Sequence, residues 1–205
     1  MAAFTSIAAV GLSIESMLDL RLNSAFDADN SLFRTRPKAR LVHTENFDRV
    51  TPGSTGAIDD GTVSIFCYRV DVNRTMRPGW AAVSATTGRA HLPVDVHFLM
   101  TAWESDAEAE LRLIGFTLLA LESMPTFSGP MLHPAGRWEP GETVQLVNTE
   151  LVTEDVLRTF ETLPTDFRLS VSYVARVVRL DAPIEPSHPD VLTTIMGITP
   201  TPVRP

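Results

Sequence analysis

The sequence predicts an α+β fold: a mixed or antiparallel sheet of about five strands, helices packed on one face, and an extended C-terminal tail. Three observations carry that expectation. Val94 to Trp103 alternates with a period of two, and its second face is half apolar, as in a central strand. Leu111, Ile114, Leu118 and Leu121 then recur at helical spacing, widened by Leu113, Phe116 and Leu119 into a stripe that predicts nearly full burial. Beyond Asp181, Pro183, Pro186, Pro189, Pro200, Pro202 and Pro205 exclude a continuous helix and favour extended chain.

A first helix is expected from Thr5 or Ser6, either of which can cap it, to about Asn23, with Ile7, Val10, Ile14, Met17, Leu18 and Leu20 along one side. Arg40 to Phe47 is a weak strand candidate. Thr51 to Gly61 is a loop by its Pro and Gly content. Val63 to Val72, β-branched and aromatic on both faces, reads as a second central strand. Asn73 to Leu92 is a long loop carrying Arg74, Arg77, Arg89 and Trp80. Connections this long in a compact domain are unusual unless they bind something.

Glu104, Ser105 and Asp106 supply an N-cap and first-turn carboxylates for the central helix, which Met124-Pro125 ends. Thr126 to Gly141 reads as a surface crossing, Glu142 to Leu151 as a strand, and Thr153 to Leu163 as a short helix. Phe167 to Leu180 is a long strand whose alternation slips near Arg176, Val177 and Val178, so a bulge is expected there. The expected organisation is one domain, 1–181, and a Pro-rich arm, 182–205.

With 205 residues and 44% hydrophobic side chains, the chain can bury one substantial core. Its formal net charge of −8 argues against nucleic acid as a main partner, since neutralising phosphates needs clustered Lys and Arg. The one cysteine, Cys67, excludes an internal disulfide and reads as a small apolar core residue. Glu15 and Asp19 interrupt the first apolar run, which is expected to be a helix rather than an export signal. No run reaches the ~20 residues of a membrane span, so no membrane association is expected, and the expected location is the cytoplasm.

Chemistry-bearing constellations are sparse. His91, His97 and His133 do not fall at zinc-site spacings, and only His97 and Asp95 share a strand face. No phosphate loop, dinucleotide fingerprint or Gly-x-Ser-x-Gly elbow is present. No catalytic residue, metal or cofactor is assigned, and the chain is expected not to be an enzyme. The enzyme alternative, a hydrolase or transferase, would rest on His97 and Asp95.

Several segments together resemble a known family. IAAVGLSIESMLDLRL, SIFCYRVDVN, PVDVHFLMTAW with AELRLIGFTLLALESMPTFSGPML, VQLVNTELVTEDVLRTFETL and FRLSVSYVARVVRLD agree in type, order and spacing over residues 7–181. They resemble the tail-terminator or cap proteins of phage-tail-like contractile injection systems, of the antifeeding-prophage and virulence-cassette kind. The resemblance implies a six-fold ring of this chain on the last layer of tube and sheath, ending their growth and capping the particle opposite its baseplate. Its partners would be further copies of itself and the tube and sheath proteins. The family offers no catalytic residues.

A closed ring needs two different patches on each chain. Arg74, Arg77, Trp80 and Arg89 are candidates for one. The apolar segment Val191 to Ile198 supplies others, with Val191, Leu192, Ile195, Met196 and Ile198 as anchors, because a solvated tail has no use for such residues. A monomeric adaptor domain is the alternative.

Overall fold

A computed structural model describes residues 4–48, 58–77 and 91–181. Six strands, β1 (Lys38–Val42), β2 (Thr62–Val72), β3 (His91–Trp103), β4 (Thr126–Ser128), β5 (Thr143–Asn148) and β6 (Ser170–Asp181), form one sheet. Their order is β1-β2-β3-β6-β5-β4. β1 runs parallel to β2 and every other pair is antiparallel, so the sheet is mixed.

Helices α1 (Ser6–Ala28) and α2 (Ala107–Glu122) cover one face. Val10, Ile14 and Leu18 of α1 and Leu113 and Leu121 of α2 enclose Val96, Phe98 and Met100 of β3. Asp106 caps α2 through a hydrogen bond from the Ala109 amide to its carboxylate at 2.9 Å, as its place ahead of the apolar run predicts. Thr5 does not cap α1 in this way; its hydroxyl donates to the Ala135 carbonyl at 2.8 Å. α1 also outruns its expected end at Asn23. Asn23 and Ser24 return their side chains to the Asp19 and Leu20 carbonyls, while Ala25 and Phe26 pack on the core.

The opposite face is covered as well, which the expectation of helices on one face did not include. The short helix α3 (Thr153–Glu161) and the turn Thr44–Phe47 bring Phe160, Leu163 and Phe47 onto Leu99 and Trp103. β1 accordingly stops at Val42, and Phe47, read as a strand end, is a core residue of this second cluster. β4 is the sixth strand, inside the stretch read as a surface crossing. At three residues it is too short to show alternation, and only Phe127 in it is buried.

The bulge expected in β6 is present. Val94 pairs with Val178 and Val96 with Ala175, so Arg176 and Val177 together oppose Asp95. A second bulge in β2 places Tyr68 between Cys67, opposite Phe98, and Arg69, opposite His97. The α2 stripe is less buried than its width predicts, with Leu111 60% and Leu119 69% exposed. Only one side of a helix lying on a sheet can face it. Leu20 of α1 is exposed for the same reason. Gly61, at φ +81°, donates its amide to the Trp103 carbonyl at 2.8 Å, and a Cβ there would meet Thr35 Oγ1 at 2.3 Å.

Candidate assembly surface

The β2–β3 hairpin gives the molecule two chemically different ends. At one end Asn73 builds the turn. Its amide donates to the Pro93 carbonyl at 2.9 Å, its Oδ1 accepts from the Met76 amide at 2.9 Å, and its Nδ2 donates to both Asp95 oxygens at 3.2 and 3.0 Å. That turn presents Arg74 and Arg77, both exposed. Beside them Val70, Val72, Met76 and Leu92 are also exposed. β1 pairs with β2 only from Thr62 to Phe66, so among the described residues the outer edge of Cys67–Val72 has no strand partner.

Behind this end the β2 bulge gathers a polar group. Arg69 Nε lies 2.8 Å from Asp71 Oδ2, and His97 Nε2 lies 3.2 Å from the same oxygen. Burial, and secondarily the Arg69 charge, pushes the His97 imidazole below its ordinary range. Its Nδ1 is buried without a hydrogen-bond partner. Asp95, on the same face, is hydrogen-bonded to Asn73, and Asp71 takes the contact with His97 that the enzyme alternative gives to Asp95. Among the described residues no group of three or more His, Cys, Asp or Glu is placed to hold a metal ion.

At the other end, where Thr62 faces Trp103, the surface is acidic. Glu104 lines a cleft of about 190 Å³ with Arg34, Asp106, Glu108 and Arg112. Arg34 Nη1 donates to Asp106 Oδ2 at 2.8 Å and Arg112 Nη2 to Glu108 Oε1 at 2.5 Å, so both cations of the cleft are paired. Glu104 is 3% exposed and its Oε2 has no hydrogen-bond partner. Burial pushes its carboxyl above the usual range, and Asp60 and Asp106 add to the shift. The sequence concealed this residue because its place beside Ser105 and Asp106 is already explained by helix capping.

Of the candidate interface residues, Arg74 and Arg77 are brought together on the turn. Trp80, Arg89, Val191, Leu192, Ile195, Met196 and Ile198 lie outside the described residues. Among the described residues, no helix is long and apolar enough to cross a membrane.

The fold is that of a tail terminator. A solved sheath/tube terminator of an extracellular contractile injection system (PVC), in its extended state, aligns with 90% of this chain at 16% identity and a TM-score of 0.51. The anti-feeding prophage cap (AFP tube terminating cap) aligns with 86% of this chain and 60% of its own length, at 16% identity and a TM-score of 0.48. The chain belongs to the Pvc16 N-terminal domain family, whose model matches residues 12–194. It spans 64% of the length of the PVC terminator. No curated protein sequence matches it.

Proposed function

We propose that this chain is the tail terminator of a contractile injection particle. It assembles as a ring, a homohexamer, on the last layer of tube and sheath, ends their growth, and holds the distal end of the sheath. It works in the cytoplasm as part of the assembled particle and performs no catalysis. The observation that carries this reading is membership of the Pvc16 N-terminal domain family over residues 12–194, supported by the fold shared with a sheath/tube terminator.

The physical features suit an assembling subunit. Obligate interfaces bury on the order of 2,000 Å² or more, and the exposed Val70, Val72 and Leu92 with Arg74 and Arg77 offer a mixed apolar and cationic patch. Trp80, Arg89, Val191, Leu192, Ile195, Met196 and Ile198 are proposed as further contact residues. Size-exclusion chromatography with light scattering, with and without tube or sheath ends, tests the reading. A ring, alone or on those ends, is the expected result. A chain that stays monomeric and binds neither would overturn it in favour of an adaptor domain.

A further inference from the structure

We infer that neighbouring copies meet head to tail, the Arg74 and Arg77 turn of one copy seated on the Glu104 cleft of the next. The inference rests on the ring reading and names its contact.

Charge is the first argument. Glu104, Asp106 and Glu108 line the cleft, three carboxylates against the two guanidinium groups of Arg34 and Arg112. Arg168 also reaches this end, donating to the Glu104 carbonyl at 3.4 Å, but its side chain is paired with Glu110 at 3.3 Å. A surplus of negative charge is left at the cleft, in which Glu104 Oε2 lacks a partner. A buried carboxylate oxygen without one is costly, and a cation from outside relieves that cost.

Within one chain Arg34, Arg112 and Arg168 are already engaged with carboxylates, and Arg74 and Arg77 cannot reach the cleft. Arg74 and Arg77 sit at the far end of the hairpin, beyond Val72, whereas Glu104 follows Trp103, the partner of Thr62. Ten strand steps separate those ends, about 33 Å, too far for any arginine side chain. A second copy displaced along the strand direction brings the two ends together. Because the two patches differ, the contact is heterologous and can propagate around a ring. The cleft is several times the ~30 Å³ share of one water, and the exposed Val72 and Met76 beside the turn supply apolar contact around the charge.

Directed crosslinking tests this. In a chain carrying Cys67→Ser, one population receives Arg77→Cys and a second Glu108→Cys, whose side chain is 80% exposed at the rim of the cleft. Mixing and mild oxidation should give a covalent dimer that neither population gives alone. Independently, Arg74→Glu with Arg77→Glu, and separately Glu104→Gln, should each weaken self-association roughly 30-fold or more. A ring that forms at normal affinity in these variants, with no crosslink in the mixture, overturns the head-to-tail contact and leaves the ring standing. Parent chains that never associate, even on tube or sheath ends, overturn both.

Discussion

Trp103 Nε1 donates to Ser64 Oγ at 2.8 Å, between two side chains that are fully buried on the second face of the sheet. They are diagonal neighbours, since Thr62 faces Trp103 and Ser64 faces Thr101. The indole packs on Phe47, with ring centroids 5.8 Å apart, and carries the Arg168 guanidinium 5.5 Å from its ring centroid. This hydrogen bond fixes the side chain that lies beneath the acidic end of the hairpin.

Ser64→Ala removes the acceptor and should cost about 1–3 kcal/mol. Urea denaturation at neutral pH measures it. A loss no larger than that of an exposed Ser→Ala change would show that the bond does not hold the tryptophan.

Much of this is legible in the sequence. The β3–α2 unit and the β6 bulge could be read because strand and helix periods differ and because the alternation slips at Arg176. The cover over Leu99 and Trp103 could not, since nothing local tells Phe47 and Phe160 which face of the sheet they will meet. Glu104 was hidden by the acidic run that caps α2, and Asp71 by the β2 bulge, which turns Arg69 toward His97 against simple alternation.

Arg179 should matter more than most ion pairs. Its Nη2 donates to Glu139 Oε2 at 2.8 Å and Asp181 Oδ2 at 3.0 Å, and the Asp181 side chain, 2% exposed, also contacts His91 Nδ1 at 2.6 Å. Arg179→Leu leaves that carboxylate buried without its cation and should cost about 3–5 kcal/mol. Arg158→Leu, which breaks an exposed pair with Glu154, should cost about 0.5 kcal/mol or less. Equal losses in chemical denaturation would contradict the distinction.

His97 should make the fold acid-sensitive. Burial lowers its folded pKa below the 6.5 of an unperturbed imidazole, so the unfolded chain binds the proton more tightly. The His97 contribution to stability is therefore full above about pH 6.5 and is lost as pH falls through the folded pKa. His97→Gln should reduce the drop in thermal midpoint between pH 7.5 and 5. An unchanged drop would show that His97 does not control it.

Removing residues 183–205 separates two roles for the arm. If it docks on a neighbouring subunit or the outermost sheath ring, the truncated chain keeps its thermal midpoint but fails to attach, and particles lose length control. If it folds onto its own domain and covers a strand edge, the midpoint itself falls. A stable truncated chain that still terminates particles at normal length contradicts both roles.

Particle length, measured by electron microscopy with and without this chain, tests the central claim most directly. A terminator sets where tube and sheath stop, so particles made with it should share one length, and particles made without it should vary widely and lack the distal cap. Capped particles of the same uniform length in its absence would contradict the account.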